Sequence, residues 1–295
     1  MATEAHWKLF TYRNEGRHWH SFWCRWQPDG TLTEKFRAER IFTPLEEGNG
    51  CVQRVAYHYE DGRGTITEGP LCGPWTLTEK DCSKSDGLDH PARKEMTTLL
   101  LPGGHSAWCW RNAAQGQPCA VELFLHYSDK RMSAGIVHWP DGSLKQLALI
   151  REDVGGGAGD WPRVFQSSSW TENAAAVIVD TSDDCLATLG VTLSRQGSGH
   201  VTHADLQQEV IPCIDWSKSL LGSAGPDYRI VLCGEISVDR VAIIAPIERK
   251  ANTPFACGAC WWPIGSLEFH AIEVWYHGDG TLSSVRHLAF AIAST

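Results

Sequence analysis

The chain has 295 residues and a mass of 32.7 kDa, which is enough for one large hydrophobic core or two ordinary ones. Its formal net charge of −9 and its lack of basic or aromatic-basic runs argue against a nucleic-acid partner. No apolar stretch approaches the length of a membrane span, and the N-terminus lacks a signal-peptide layout. We therefore expect no transmembrane segment and a cytoplasmic location, or a plastid location if a transit peptide has been removed.

The predicted elements begin with a short helix over residues 5–13 (AHWKLFTYR), where apolar residues recur at helical spacing. The following residues up to about 150 read as short strands with β-branched or aromatic content. The predicted strands are Trp19–Gln27, Thr31–Thr43, Cys51–Glu60, Thr65–Leu71, Trp75–Thr78, Met96–Leu101, Ser106–Trp110, Cys119–Tyr127, Ser133–Trp139 and Leu144–Arg151. Strands at this density, separated by turns such as Pro28-Asp29-Gly30 and Pro140-Asp141-Gly142, indicate an antiparallel meander or barrel.

The segment of residues 85–91 (SDGLDHP) is predicted to be a loop, and its composition is the most suggestive of function. It brings two carboxylates and the imidazole of His90 together beside Gly and Pro. The same residues also suit an ordinary turn, so the functional and the structural interpretations stay open. Asp86 and His90 are candidate proton-transfer groups in the functional interpretation.

Charged and aromatic residues inside the strands supply the other candidates. Arg54 and Glu122 interrupt apolar runs, so each faces either solvent, which is the default, or a cavity. Trp108 and Trp110 must point to the same side of their strand because side chains alternate with period two. With 14 Trp against 6 Tyr, indoles serve either as core filling or as flat walls for a planar ligand.

The 11 cysteines are scattered and mostly lie within strand-like runs, which favours buried, reduced thiols. Cys257 and Cys260 form a CxxC sequence, but no second ligand pair lies at a matching spacing. A thioredoxin-like redox site would need this motif at the start of a helix. Trp261 and Trp262 continue a β pattern instead, which argues against such a site. The sequence therefore predicts no metal site and no cofactor.

The second half repeats the first loosely. Residues 121–150 and 257–290 both read as three strands, with the last two joined at an Asp-Gly turn, and residues 19–42 correspond to residues 170–193. The glycine-rich segment 153–161 (DVGGGAGDW) marks the boundary. We predict two domains, residues 1–155 and residues 160–295, with one helical turn over residues 202–208. Ala174–Val179 replaces the indoles of the first strand, so the second module should be incomplete or filled.

The opening residues 16–23 (GRHWHSFW), closing at Pro28-Asp29-Gly30, resemble the Gly-x-Trp strand of calycins, the lipocalin-like barrels. Further motifs carry the resemblance to a specific uncharacterised family of domain-of-unknown-function type in photosynthetic microbes and plants. These motifs are residues 85–92 (SDGLDHPA), 101–108 (LPGGHSAW), 121–124 (VELF) and the turn at 140–142. The resemblance implies an all-β fold of two tandem antiparallel calycin barrels with few short helices. A more distant similarity is to phycobilin lyases, but none of their motifs transfers residue by residue.

Three functions fit this sequence. In the first, the N-terminal barrel binds a small hydrophobic or planar molecule such as a pigment, tetrapyrrole, isoprenoid or lipid. Its site would use Trp19, Trp23, Arg54, Trp108 and Trp110, with His90 and Glu122 as polar anchors. In the second, the chain is a lyase, isomerase or cyclase in which Asp86, His90 and Glu122 move protons. In the third, it is an assembly module that docks a protein partner.

Overall fold

The structure is a computed structural model that describes residues 2–154, 176–233, 240–263 and 265–293. Helices are few and short within these ranges, as predicted. They are α1 (Ala2–Asn14), α2 (Glu79–Cys82), α3 (Ser182–Leu189) and α4 (Leu220–Ser223), with single 3₁₀ turns at Pro102–Gly104 and Trp216–Lys218. The predicted N-terminal helix is thus confirmed. No helix in the described ranges has both the length and the apolar character that a membrane span requires.

The first sheet contains twelve strands, and the predicted β-rich fold class is confirmed. Its strands are β1 (His18–Trp26), β2 (Leu32–Pro44), β3 (Gly50–Tyr59), β4 (Gly64–Ile66), β5 (Trp75–Thr78), β6 (Ser83–Lys84), β7 (Gly87–His90), β8 (Arg93–Leu100), β9 (Ser106–Trp110), β10 (Cys119–Tyr127), β11 (Lys130–His138) and β12 (Leu144–Val154). The strand predicted over residues 65–71 is shorter than expected, since β4 ends at Ile66. The prediction of a loop at residues 85–91 was partly wrong, because pairing with β8 extends Gly87–His90 into a strand despite its turn-forming residues.

The first sheet curls so that its two ends face each other. Its order is β4-β3-β2-β1-β12-β11-β10-β9-β8-β7-β6, with β5 paired to β3. No backbone ladder joins the two ends in the described ranges, but side chains bridge them. Gln53 on β3 lies 3.2 Å from the His90 ring on β7, and the ring centroids of Trp75 and His90 are 4.9 Å apart. The sheet is therefore barrel-like, with one seam closed by side chains.

The second sheet has eight strands. They are β13 (Ala176–Val179), β14 (Leu193–His203), β15 (Gln208–Asp215), β16 (Tyr228–Cys233), β17 (Arg240–Pro246), β18 (Phe255–Trp262), β19 (Glu268–Tyr276) and β20 (Leu282–Ile292). Their order is β13-β16-β17-β18-β19-β20-β14-β15. The largest cluster of buried apolar side chains draws on both sheets, so the two pack on a common core. The predicted boundary segment 153–161 begins at the end of β12, its residues 155–161 lie outside the described residues, and the domain limits 1–155 and 160–295 stay a prediction.

The duplication appears most clearly at two Asp-Gly turns. Each Asp accepts hydrogen bonds from the residue two positions later, and Gly142 and Gly280 adopt positive φ values of 98° and 85°. Each turn also docks on the other half of the chain in the same way. The Leu144 amide donates to the Ile247 carbonyl, and the Leu282 amide donates to the Arg111 carbonyl. The two halves therefore contact each other through a pseudo-symmetric pair of backbone hydrogen bonds, one from each turn.

The predicted match between the two first strands was wrong. Ala176–Val179 forms the edge strand β13, whereas β14 takes the place beside β20 that β1 takes beside β12. The turn after β14 repeats the one after β1, with Asp205 in the place of Asp29 and Leu206 at φ 68° in the place of Gly30. This hairpin turn also replaces the helical turn predicted at residues 202–208. The duplication is concealed there because a leucine occupies the left-handed position.

Candidate functional site

A cavity of about 250 Å³ lies within the curl of the first sheet. Strands from both ends of the sheet line it, and α1 contributes Phe10 and Asn14 at its base. Four exposed residues also line the cavity: Pro70, Leu71, Ala92 and Arg93. The exposed fraction of Leu71 is 53%. The cavity mouth therefore lies between the segment before β5 and the hairpin that joins β7 to β8.

Aromatic rings form the cavity walls. Trp23 on β1 stacks on Phe36 with a centroid distance of 5.3 Å, which fixes the plane of its indole. Across the seam, the His90 ring lies edge-on between Trp75 and Trp108, with centroids 4.9 Å and 5.1 Å away. Rings held by neighbouring rings keep their orientation, so the cavity offers preformed flat surfaces.

His90 is neutral at pH 7 and both of its ring nitrogens are engaged. Burial and, to a smaller extent, the charges of Arg40 and Arg93 lower its pKa to about 4. Its Nδ1 accepts a hydrogen bond from the Ala92 amide, so Nε2 carries the proton and donates it to Gln53 at 3.2 Å. The ring presents neither a free lone pair nor an acidic proton to a ligand.

A network of buried charges occupies one side of the cavity. Arg40 lies 3.0 Å from Glu122 and 3.7 Å from Glu152, and the Arg131 guanidinium pairs with Glu152 as well. The Glu152 side chain has no exposed surface. Burial raises the pKa of Glu152, but the charges of Arg131 and Arg40 outweigh this effect and hold the pKa below its usual value. Glu152 is therefore ionised at neutral pH.

Arg131 is the group best placed to meet a ligand from within this network. The residue is 5% exposed, lines the cavity, and is stacked on Trp19 with its guanidinium carbon 4.3 Å from the ring centroid. Its Nη2 atom is buried and has no hydrogen-bond partner among the described residues. The cavity lining includes four arginines and one glutamate, Glu122. When Glu152, which lies behind the lining, is counted as well, these groups still carry more positive than negative charge.

The second half of the chain places aromatic rings at the positions of these charges, two on the second sheet and one in the turn after β15. Arg131 and Phe269 each lie ten residues before the Asp of their turn, at 141 and 279, and they pair with Glu152 and Phe290 respectively. Arg40 and Trp216 each lie eleven residues after the Asp of the preceding turn, at 29 and 205.

The rings of this second set pack together. The Trp216 ring lies 6.0 Å from Phe269 and 4.9 Å from Phe290, within a cluster of buried side chains. Gly199 takes the position of Trp23, where an added Cβ would lie 2.1 Å from the His287 carbonyl oxygen. At these positions the interior of the second module is filled, as predicted, although on a different strand from Ala174–Val179.

The structure brings together four of the eight residues proposed from the sequence. Trp23, Trp108, His90 and Glu122 line the cavity, and Trp19, Arg54, Trp110 and Asp86 do not. Arg54 is exposed because its neighbours Gln53 and Val55 take the cavity face of β3. Trp19 lies behind Arg131, and Trp110 lies beyond the end of the cavity, where its carbonyl accepts a hydrogen bond from Tyr276 at 3.1 Å.

Asp86 has a structural partner instead. Arg111 forms ion pairs with Asp86 and Asp89, and it also donates to the carbonyl groups of Lys94 and Met96. These contacts tie the β6–β7–β8 ribbon to the end of β9. The carboxylates of the predicted functional loop thus hold the strand that carries His90.

Sequence reasoning missed Arg40, Arg131 and Glu152. A single chain with period-two strands gives no reason to prefer these charges over the exposed ones nearby. One signal was available, because aligning the two halves on their Asp-Gly turns sets Arg131 against Phe269 and Glu152 against Phe290. A buried position that is charged in one copy and aromatic in the other indicates that the interiors of the two copies serve different purposes.

The family described as "Domain of unknown function (DUF3598), N-terminal" matches residues 3–157. A crystal structure of a DUF3598-family protein of unknown function from Nostoc punctiforme is 13% identical to this chain. It covers 98% of this chain and 99% of its own, with a TM-score of 0.64, so the fold is shared over the whole length.

The S-type phycobiliprotein lyase CpeS from Guillardia theta is also similar. It is 13% identical, covers 53% of this chain and 96% of its own, and has a TM-score of 0.33, which is too low to support a structural argument. No curated protein is significantly similar to the chain.

Proposed function

The chain belongs to the DUF3598 family of unknown function, and from this premise we propose that its N-terminal barrel binds an elongated or planar apolar molecule that carries a carboxylate. One observation carries the proposal: the first sheet keeps an aromatic cavity with a buried charge network at the positions that the second sheet fills with aromatic rings. A packed interior is the more stable arrangement, since buried ion networks often add little stability. Keeping the cavity is therefore best explained by a ligand.

The walls favour a flat apolar body. Trp23 and Trp108 are held by stacking or edge contacts, so a polyene or ring system can lie against them without ordering the side chains first. The volume of about 250 Å³ is slightly below the ~300–1,000 Å³ of typical small-molecule pockets. A single chain such as an isoprenoid or a fatty acid fits this size best, and a tetrapyrrole would extend through the mouth.

The charges favour an anionic group on the ligand. The buried Nη2 of Arg131 has no hydrogen-bond partner among the described residues, and four arginines line the cavity against one glutamate, Glu122. A carboxylate near Arg131 and Arg40 would form charge-assisted hydrogen bonds, each worth about 1.5–3 kcal/mol where water is excluded. We expect the ligand to enter with its apolar end toward the indoles.

We do not extend the proposal to acid–base catalysis or to an assembly role. His90 has both nitrogens in hydrogen bonds and Asp86 is paired with Arg111 outside the cavity lining, so the predicted proton-transfer groups do not converge. An assembly module would have a filled interior, whereas the cavity is open. A protein partner or a lyase activity stays a prediction.

Trp108→Ala should weaken retinoic acid binding by about 10- to 30-fold, which corresponds to ~1.4–2 kcal/mol for the loss of one wall. Binding is measured by titration calorimetry and by the emission of the retinoid, so that the loss of an indole does not remove the reporter.

Wild-type protein should also prefer retinoic acid over retinol by about 10-fold, because only the acid can pair with Arg131.

Trp275→Ala is the matched control. This indole lies on the second sheet, where its Nε1 donates to Glu273 at 2.9 Å, so its loss should lower the melting temperature and leave retinoid affinity unchanged. Equal losses of affinity in both variants would refute the proposed location of the site. Absence of binding by retinoic acid, retinol and laurate to the wild-type chain would refute the proposed function.

A further inference from the structure

A group of metal-ligating side chains lies on the face of the first sheet opposite the cavity. His18, His20 and Glu39 each place one ligand atom within 4.8 Å of the others. His20 and Glu39 are buried, and the His18 side chain is 13% exposed. The group is therefore sheltered but accessible from one side.

The strand register explains why these residues meet. His18 and His20 are two residues apart on β1 and so share a face, and His20 pairs directly with Glu39 on β2. Trp23 and Arg40 have the other parity on these strands and face the cavity. His58 on β3 joins the group, because its Nε2 lies 3.2 Å from Glu39 Oε1. Three adjacent strands thus contribute donors to one point.

The ion-pair partners of Glu39 that the described part of the chain provides are imidazoles. Its side chain is 8% exposed, and its ion-pair partners among the described residues are the imidazoles of His18, at 2.8 Å, and His58. A neutral imidazole compensates a buried carboxylate less well than a full positive charge does. The arrangement is of the kind that a divalent cation would complete.

We propose that His18, His20 and Glu39 bind a divalent transition-metal ion of the Zn²⁺ class, with His58 as a fourth ligand or as the hydrogen-bond partner of Glu39. Two or three imidazoles with one carboxylate suit Zn²⁺, whereas Ca²⁺ and Mg²⁺ prefer oxygen-only sites. Donor atoms bound at about 2.0–2.2 Å to one tetrahedral Zn²⁺ lie roughly 3.3–3.6 Å apart. Donors that are now up to 4.8 Å apart would move closer together, and the His18 Nε2 and Glu39 Oε2 atoms, at 2.8 Å, would move slightly apart.

The site is independent of the proposed ligand cavity. It joins β1, β2 and β3 on their outer face, and its expected effect is to stabilise this part of the sheet by mass action. The inference uses different residues and a different face, so failure of retinoid binding would not affect it.

Zn²⁺ binding to the full-length chain, stripped with a chelator and dialysed, tests the proposal. Calorimetry should give one Zn²⁺ per chain, and Co²⁺ substitution should give the visible absorption of a four-coordinate site. Glu39→Gln and His18→Gln should each weaken Zn²⁺ binding by at least 10-fold. Circular dichroism and thermal melting without metal establish whether both variants fold. If Glu39→Gln does not fold, the Zn²⁺ affinity of His18→Gln tests the proposal.

Two variants serve as matched controls. His277 is an exposed imidazole outside the group, and Cys213 is the exposed thiol, so His277→Gln and Cys213→Ser should bind Zn²⁺ as the wild type does. Lack of saturable Zn²⁺ binding in the wild type would overturn the proposal. Binding that survives both Glu39→Gln and His18→Gln, or that disappears in Cys213→Ser, would also overturn it.

Discussion

Glu152→Ala should destabilise the chain by about 3–5 kcal/mol, the loss typical when one member of a buried ion network is removed. Among the described residues, the substitution leaves the buried Arg131 without an ion-pair partner, and Arg40 keeps its pair with Glu122. The free energy of unfolding in urea measures the loss. It would represent a large share of the ~5–15 kcal/mol that stabilises a typical domain.

Glu122→Ala is the matched control for this prediction. Its side chain is 27% exposed, and its partner Arg40 would still have Glu152, so the loss should stay below about 1.5 kcal/mol. Equal free energies of unfolding for Glu152→Ala and Glu122→Ala would contradict the central role of Glu152 in this network.

The double substitution Arg131→Phe with Glu152→Phe gives a sharper test. It copies Phe269 and Phe290 of the second sheet and leaves the Arg40–Glu122 pair intact. Apolar replacement of a buried ion pair is often neutral or stabilising, so most of the stability lost in Glu152→Ala should return. Retinoic acid should lose its advantage over retinol in this variant. Unchanged discrimination would refute the anion-binding role of Arg131.

Acidification from pH 6.5 to pH 5 should remove on the order of 5–10 kcal/mol of stability, through histidines that are buried in the neutral form. Burial is the largest cause in each case and lowers their pKa values, to about 4 for three of them. Four others are lowered as well, three of them well below the ordinary value. The seven residues are His6, His90, His105, His126, His138, His270 and His287.

Several of these histidines meet where the two sheets pack together. The rings of His105 and His287 stack at 3.8 Å, and His270 Nδ1 lies 3.2 Å from His287 Nε2. Protonating one of them would place a charge against its neighbours, and the ion-pair partner that the described residues offer this group is Glu268, 4.0 Å from His270. Acid should therefore separate the sheets at this contact first.

The sign follows from proton uptake. With a folded-state pKa below the unfolded value of about 6.5, the unfolded chain binds more protons, so stability is complete above pH 6.5 and falls as the pH approaches the folded-state pKa. Each such histidine contributes a slope of up to about 1.4 kcal/mol per pH unit. Glu273 and Asp153 act in the opposite direction, because burial raises the pKa values of both carboxyl groups, but they are two groups against seven.

Urea unfolding between pH 7.5 and pH 5 measures this slope. His287→Gln should reduce the slope by about one histidine's share, even if it also lowers stability at pH 7.5. His277→Gln changes an exposed ring and should leave the slope as it is. A stability that is independent of pH across this range would contradict the burial of neutral histidines.

The sequence by itself determined the local structure well. Period-two alternation and the Asp-Gly turns located most strands of the first half, and the helical spacing of residues 5–13 located α1. The eleven cysteines are free thiols and ten are buried, as their positions in strands predicted. Cys257 and Cys260 lie in β18, and burial raises the pKa of both thiols, consistent with a structural role. The family resemblance was likewise readable from short motifs.

Only the tertiary structure decided which side of each strand faces inward and which distant strands pair. Alternation defines two faces but does not label them, so Arg54 and Arg40 were indistinguishable until β3 and β2 were placed around the cavity. The pairing of β14 with β20 depends on residues about 90 positions apart, and no local pattern records it. The buried network of Arg40, Arg131 and Glu152 exists for the same reason: three strands bring together charges that are far apart in the sequence, and burial then makes each one depend on the others.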